Sequence, residues 1–164
     1  MKIKNVVLFF VACATLLLNS FCFAEVSTYD LEIGGIYYNQ PMADIVSRYG
    51  DSIKTENRAP AGYNFTFLVD GSEILISPSS NQFVLSANIK DNSKLLTNRG
   101  IGLGHSLKEL IEAYGRPDVS KENSFEKTFN VIYYTKNKDA YIIFILDENN
   151  IIKFIGYDVN LDVK

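Results

Sequence analysis

The sequence predicts an α+β domain in which two tandem units form one mostly antiparallel sheet of about six strands, with two short helices on one face. Three observations support this fold class. The segments 35–50 and 100–115 align without a gap and share a Gly-Ile opening and a Tyr-Gly ending. Each segment has helical periodicity, and each is followed by three strand-like runs. Residues 25–164, which follow an N-terminal leader, have the length of a single domain.

Both aligned segments contain an amphipathic helix. Apolar residues recur at the i, i+3, i+4, i+7 spacing that buries one stripe of a helix. They are Met42, Ile45, Val46 and Tyr49 in the first unit, and Leu107, Leu110, Ile111 and Tyr114 in the second. Ser106 and Glu109 have the spacing of a capping box, and Gly50 and Gly115 favour the backbone conformation that ends a helix. We therefore expect two equivalent helices, each of about two to three turns.

Three apolar runs after each helix predict antiparallel meanders. The runs are Tyr63–Val69, Glu73–Ser77 and Phe83–Ile89 in the first unit, and Val131–Thr135, Tyr141–Leu146 and Ile151–Asp158 in the second. Turn-forming residues separate the runs, as in Asp70-Gly71. The two repeats therefore extend over about 33–89 and 98–158, with Lys90–Arg99 as the linker and Val119–Asn130 as a longer loop.

Residues 1–24 have the layout of a secretory signal peptide. Two lysines provide a basic start, residues 6–18 form an apolar run, and Ala24 provides a small residue for cleavage. The apolar run is shorter than the ~20 residues that span a membrane, so we expect no stable membrane anchor after cleavage. Both cysteines, Cys13 and Cys22, leave with this segment. We predict a periplasmic or secreted protein that is stabilised without disulfides.

The charge balance argues against one class of partner. The signal segment contains two of the 16 basic residues and none of the 19 acidic ones, which leaves 14 basic and 19 acidic residues in the mature chain. Binding to nucleic acid depends on clustered Lys and Arg. We therefore expect no nucleic-acid partner.

A Gly-rich entry, a short helix that ends in Tyr-Gly-x-Pro and strands with aromatic residues form a distinct pattern. Its residues are Gly104, Leu107, Leu110, Tyr114-Gly115-Arg116-Pro117, Tyr133-Tyr134, Ile143-Phe144 and Ile152. This pattern resembles the repeat of beta-lactamase-inhibitor-protein-like domains and of SmpA/OmlA-type outer-membrane assembly lipoproteins, and the resemblance covers most of residues 33–158. It implies a periplasmic or secreted module that binds another protein, either as an inhibitor or as an assembly accessory.

The polar motifs favour structural roles over catalysis. The glycines of 100–104 precede a helix as a phosphate loop does, but the Gly-Lys-Ser/Thr ending is missing. His105, the one histidine, has beside it only Ser106, which is expected to cap the helix. A single histidine without cysteine is a poor set for zinc, and Asp147–Asn150 has the composition of a turn. We expect no catalytic residue, no metal and no cofactor, with an envelope enzyme of unrecognised type as an alternative.

Alternation along the last strand predicts a binding surface. Lys153, Ile155 and Tyr157 are expected to point away from the helices, whereas Ile152, Phe154 and Gly156 are expected to face them. In the first repeat the matching outward positions hold Ser86 and Asn88. Both registers of Tyr141–Leu146 are apolar as well, so only the second repeat has an apolar outer face. A face of this kind is typical of a surface that another molecule covers.

We therefore predict an exported, non-enzymatic protein-binding module of the cell envelope whose site includes Lys153, Ile155 and Tyr157. Two alternatives explain the same apolar face: Glu25–Ile33 or Val119–Asn130 covers it within the monomer, or a homodimer covers it. A separate alternative for the function is a small-molecule carrier that uses the concavity of the sheet.

Overall fold

The computed structural model describes residues 25–58 and 62–160. The signal peptide predicted for residues 1–24 lies outside the described residues. After a 3-10 turn at Thr28–Asp30, the described chain contains the helices α1 (Met42–Tyr49) and α2 (Leu107–Tyr114). Its strands are β1 (Glu32–Ile33), β2 (Ile36–Tyr37), β3 (Lys54–Asn57), β4 (Tyr63–Val69), β5 (Ser72–Pro78), β6 (Val84–Lys90), β7 (Val119–Asn123), β8 (Thr128–Tyr134), β9 (Ala140–Leu146) and β10 (Ile152–Val159).

The strands β3 to β10 form one antiparallel sheet with the order β3-β4-β5-β6-β10-β9-β8-β7. The segments predicted as the first and the second repeat, which keep these names below, each supply four consecutive strands, and the two sets meet where β6 pairs with β10. β1 and β2 form a separate two-stranded ribbon. The chain therefore builds a single sheet across both repeats rather than one small sheet for each.

The prediction of an α+β fold is wrong, because the fold is mostly β, with 49% of the described residues in strands and 14% in helices. The sheet has eight strands rather than six. The two missed strands, β3 and β7, lie at its two edges, and most of their side chains are polar and exposed. Neither strand has the apolar alternation by which a strand is detected in a sequence. β7 and the start of β8 occupy the predicted loop at Val119–Asn130.

The helices α1 and α2 lie at the predicted positions. The Ser106 hydroxyl accepts a hydrogen bond from the Glu109 N–H at 3.3 Å, and the Glu109 carboxylate accepts one from the Ser106 N–H at 2.7 Å. Each helix is followed by a glycine with a positive φ, 81° at Gly50 and 78° at Gly115, which favours glycine over other residues. The six predicted strands are present as β4, β5, β6, β8, β9 and β10, with ends shifted by up to three residues.

One apolar core lies between the sheet and the elements packed on it, namely α1, α2 and the ribbon. Ile45 of α1 and Leu110 of α2 are fully buried in it. In the second repeat, the Tyr114 ring lies 5.3 Å from the Tyr133 ring and 5.2 Å from the Phe144 ring, measured between centroids. Such aromatic contacts stabilise the core beyond the burial of their surface.

A partly buried ion pair joins the N-terminal segment to the second repeat. Arg99 donates from Nε and Nη2 to the two carboxylate oxygens of Asp30, at 2.7 Å and 2.8 Å. Its Nη1 donates to the backbone oxygen of Ala113 at 3.3 Å. The guanidinium also lies over the Tyr114 ring, 4.7 Å from the centroid. Because the guanidinium is a planar fork of donors, one side chain connects the N-terminal segment, the linker and the end of α2.

A β-bulge in β10 determines which of its side chains reach the core. Ile152 pairs with Leu146, and Phe154 pairs with Ile145, which leaves Lys153 as an extra residue on the bulged strand. An extra residue reverses the alternation of all side chains beyond it. The strand therefore presents different residues to the core before and after the bulge.

The predicted exposure of Ile155 and Tyr157 is wrong for this reason. Ile155 is 0% exposed and Tyr157 is 1% exposed, and the Tyr157 hydroxyl donates to the backbone oxygen of Ile36 at 3.2 Å. Both residues therefore belong to the core face of the sheet and not to its outer face. Lys153 is exposed as predicted, and its ammonium lies 3.3 Å from a carboxylate oxygen of Asp147.

The two tyrosines that end the helices are buried to different extents, which predicts different costs of truncation. Tyr114 is 0% exposed, whereas Tyr49 is partly exposed and its hydroxyl donates to the Gly34 backbone oxygen at 3.3 Å. We expect Tyr114→Ala to lower the free energy of unfolding by about 3–5 kcal/mol, because the change leaves a cavity. Tyr49→Ala should cost about half as much. Urea titrations measure both values, and equal losses would contradict the difference in burial between Tyr114 and Tyr49.

The ion pair predicts a dependence of stability on pH. Burial on its own raises the pKa of Asp30, but the hydrogen bonds from Arg99 and Ser27 outweigh it and hold the pKa below its ordinary value. A lowered pKa means that this contribution is complete above the unfolded pKa of about 4 and is lost as the pH falls through the folded pKa. The difference in unfolding free energy between the wild type and Asp30→Asn should therefore shrink below about pH 4. A constant difference from pH 7 to pH 2.5 would contradict this assignment.

Because of the bulge, we expect Ile155 and Tyr157, which strict alternation placed on the outer face, to be required for folding. The double variant Ile155→Ser, Tyr157→Asn should lose more than about 3 kcal/mol of unfolding free energy, because it places polar groups in the core and creates cavities. Phe154→Ser, on the other face of the same strand, is the matched control for the single change Ile155→Ser and should lose clearly less. Equal losses in urea titrations would show that the two faces of β10 have similar environments, which would contradict the effect assigned to the bulge.

Candidate functional site on the open face of the sheet

The sheet has a face on which neither helix packs. Cross-strand pairs such as Phe67 with Ile74 and Val131 with Phe144 are buried and define the core face. The alternate residues of each strand point to the opposite side, which we call the open face. In the described part of the second repeat, every side chain that β8 and β9 contribute to this face is partly exposed.

Seven apolar side chains lie together on the open face of the second repeat. We call this group the open-face patch, and it consists of Val119, Ile132, Tyr134, Tyr141, Ile143, Ile145 and Phe154. Ile143 pairs with Ile132, and the Tyr134 and Tyr141 rings meet edge to face with centroids 5.9 Å apart. The patch therefore extends over β7, β8, β9 and β10 as one continuous apolar surface.

Phe154 and Gly156 form the border between the patch and the first repeat. Gly156 pairs with Ile143 on one side and with Asn88 on the other. A Cβ atom at Gly156 would lie 2.9 Å from Cε1 of Phe154 and 3.2 Å from Cβ of Asn88. The Phe154 ring therefore lies across the glycine instead of projecting from the sheet, and a larger residue at 156 would displace it.

The open face of the first repeat is mostly polar. Asn64 accepts a hydrogen bond from the Ser77 hydroxyl at 2.7 Å, and Asn88 lies on the same face. A cleft of about 460 Å³ opens there and includes the charged side chains of Lys54, Glu56, Glu73 and Lys90. The difference between the two repeats that the sequence indicated is therefore present, with the apolar half formed by the second repeat.

The predicted site residues contribute little to this surface. Ile155 and Tyr157 lie on the core face, and Lys153 lies in the bulge beside the patch. The residue of β10 that reaches the patch is Phe154, which the sequence placed against the helices. The doubly apolar run Tyr141–Leu146 was the signal for the patch, whereas the register of β10 depends on a bulge that periodicity does not reveal.

The glycine-rich segment before α2 is a closed turn. The N–H groups of Gly100, Ile101, Gly102 and Gly104 donate to Thr97 O, Thr97 Oγ1, His105 Nδ1 and Ile152 O respectively. These four donors are therefore occupied and do not form a phosphate cradle. The histidine is likewise engaged, because its Nδ1 accepts the Gly102 N–H at 3.0 Å.

The acidic run after β9 is a turn, as predicted. Asp147 Oδ1 accepts the N–H groups of Asn149 and Ile151 at 2.9 Å and 3.0 Å. The bond from Ile151, more than any other contact, holds the pKa of Asp147 below its ordinary value. Within residues 25–58 and 62–160, no group of three or more His, Cys, Asp and Glu residues is arranged to hold a metal ion. No helix in these ranges is both long and apolar enough to cross a membrane.

The comparison with known proteins rests on structure. The sequence matches no protein-family model, and no curated protein matches it significantly. A DUF4309 family protein from Bacillus subtilis has a TM-score of 0.54 at 11% identity, over 77% of this chain and 83% of that chain. A cysteine-rich secretory protein from Staphylococcus aureus has a TM-score of 0.57 at 12% identity, over 84% of this chain and 49% of that chain. This chain therefore spans about half the length of the staphylococcal protein.

A "putative beta-lactamase inhibitor protein" from Streptococcus mutans is 21% identical over 76% of this chain and 84% of that chain. Its TM-score of 0.31 is too low to show a shared fold. At the identities of the Bacillus and Staphylococcus proteins, similarity shows the fold alone. The chain thus has a fold that also occurs in secreted bacterial proteins.

Proposed function

We propose that the chain is an exported, non-enzymatic module that binds another protein through the open-face patch. The observation that carries the proposal is the position of seven apolar side chains on the face opposite the core. The first repeat has mainly polar residues on the same face, so the fold itself does not require apolar ones there. Contiguous apolar surface that rests on a rigid element is typical of a protein-binding site.

The composition of the patch suits a protein partner. Tyr134, Tyr141 and Phe154 surround the aliphatic centre formed by Ile143 and Ile132. The centres of protein interfaces are enriched in aromatic residues and poor in charged ones. Phe154 lies flat across Gly156, so its ring face is suited to stacking against an apolar side chain of the partner. We expect Phe154 and Ile143 to contribute most of the binding energy.

Charged residues of both signs border the patch. Lys90 pairs with Phe154, and Asp158 pairs with Tyr141. Burial raises the pKa of Asp158, and the hydrogen bond from the Val159 N–H and the charge of Arg58 oppose this effect only in part. A basic side chain of the partner opposite Asp158 would compensate its desolvation. We therefore propose a partner with an apolar centre and a basic group at one edge.

The shape of the patch favours a protein over a small molecule. The patch runs as an open surface over four adjacent strands, whereas sites for small molecules are concave and enclose most of the ligand. The predicted signal peptide supports a role outside the cytoplasm. The resemblance of the second repeat to inhibitor-like and assembly-lipoprotein domains supports an inhibitory or assembly role for the same face.

Two variants on the open face test the proposal. Ile143→Ser removes the centre of the patch, and Leu75→Ser makes the same type of change on the open face of the first repeat. Both side chains are partly exposed, so both variants should fold, which urea titration confirms. After crosslinking in envelope extract, a partner captured by the wild type and by Leu75→Ser should be captured at least about tenfold less by Ile143→Ser.

Two outcomes would contradict the proposal. If the folded Ile143→Ser variant captures the same proteins in the same amounts, the patch is not the binding surface. If the wild type sediments as a dimer and Ile143→Ser sediments as a monomer, the patch binds a second copy of the chain instead of a different protein.

A further inference from the structure

The two-stranded ribbon has two different faces. Ile33 pairs with Ile36, and both are fully buried against the core. Glu32 pairs with Tyr37, and because side chains alternate along a strand, this pair points away from Ile33 and Ile36. The ribbon therefore presents a carboxylate and an aromatic ring on its outer face.

A cleft of about 620 Å³ lies beside this outer pair. Its lining consists of Thr28, Tyr29, Glu32, Tyr37, Tyr38 and Asn39. Three of these residues are tyrosines, one is acidic, and none is basic. Tyr29 is 84% exposed and Tyr37 is 45% exposed, so both rings are accessible from the cleft. The volume lies within the roughly 300–1,000 Å³ of small-molecule sites.

Glu32 is a half-buried carboxylate that has no cationic partner among the described residues. One of its oxygens accepts the Gly35 N–H. In the part of the chain that the structure describes, the ion pairs involve other acidic residues and none includes Glu32. Burial raises the pKa of Glu32 and outweighs the effect of the Gly35 hydrogen bond. A cation in the cleft would offset this desolvation.

We propose that the cleft binds a small organic cation with a quaternary ammonium group. The tyrosine rings supply electron-rich faces, and Glu32 supplies the counter-charge. Cations of this type are weakly hydrated, and they are bound in proteins by aromatic side chains together with a carboxylate. The absence of Lys and Arg from the lining means that no fixed positive charge opposes entry.

The same lining argues against other ligand classes. A metal ion requires several oxygen or nitrogen ligands at about 2.0–2.6 Å, and Glu32 is the one acidic residue of the cleft. An anion would meet an unpaired carboxylate and no basic group. An uncharged ligand would leave the charge of Glu32 without compensation. An organic cation therefore fits the residues best.

Binding of choline to the folded chain tests the proposal. Choline chloride is titrated into protein with isotope-labelled tyrosine rings, and the ring signals are followed by NMR. The signals of Tyr29, Tyr37 and Tyr38 should shift in a saturable way, whereas Tyr63, an exposed tyrosine outside the cleft, should not. Sodium chloride at equal concentration controls for ionic strength, and 3,3-dimethylbutan-1-ol, the uncharged isostere of choline, should bind about tenfold more weakly or not at all.

Variants separate the charge from the shape of the cleft. Glu32→Gln retains an oxygen that accepts the Gly35 N–H but removes the charge, and it should weaken choline binding by about tenfold. Tyr29→Ala should weaken it by a similar factor, and Tyr63→Ala should leave it unchanged. Equal binding of choline and its uncharged isostere, or unchanged binding by Glu32→Gln, would overturn the proposal.

A vesicle-binding experiment shows whether the cation belongs to a lipid headgroup or to a soluble ligand. Vesicles of phosphatidylcholine, compared with vesicles of phosphatidylglycerol, show whether a quaternary ammonium on a lipid headgroup reaches the cleft, and free choline should compete with that binding. Sedimentation with the phosphatidylcholine vesicles supports a headgroup, whereas choline binding without sedimentation supports a soluble ligand. Because Glu32 and the tyrosines lie outside the open-face patch, these results are independent of the protein-binding proposal, which Ile143→Ser tests.

Discussion

The core and the open face of the sheet both depend on the pairing of β6 with β10. It joins the four strands of the first repeat to the four of the second. On one side of the sheet it places Ile89 next to Ile155, which extends the core across both repeats. On the other side it places Asn88 next to Gly156, which makes the open face continuous. A shift of this pairing by one residue would exchange the two faces, so the core and the patch depend on the same register.

The sequence was informative where side chains repeat with a regular period. Both helices and six of the strands follow from apolar periodicity, and the start of α2 follows from Ser106 and Glu109. The edge strands β3 and β7 could not be predicted in this way, because an edge strand in water gains nothing from apolar alternation. The contact of Arg99 with Asp30 was also missed, since it joins residues that are distant in the chain and belong to no motif.

The candidate site, too, could be predicted only where it depends on a local pattern in the sequence. The run Tyr141–Leu146 has apolar residues in both registers, and this local property indicated an apolar outer face before any contact was known. The particular residues of β10 could not be derived, because the bulge at Lys153 lies in the pairing of β10 with β9, and apolar periodicity does not reveal it. The hydrogen bond from Tyr157 to the ribbon could not be derived either, because it joins residues that are distant in the chain.

The charged edge strands restrict where another molecule can bind to the sheet. β3 and β7 end the sheet with charged side chains such as Lys54 and Glu56 on one margin, and Lys121 and Glu122 on the other. Charged margins disfavour the addition of a further strand from outside. The same charges disfavour the edge-to-edge association of two copies of the chain. A partner is therefore expected to bind the face of the sheet, where it contacts side chains rather than backbone amides.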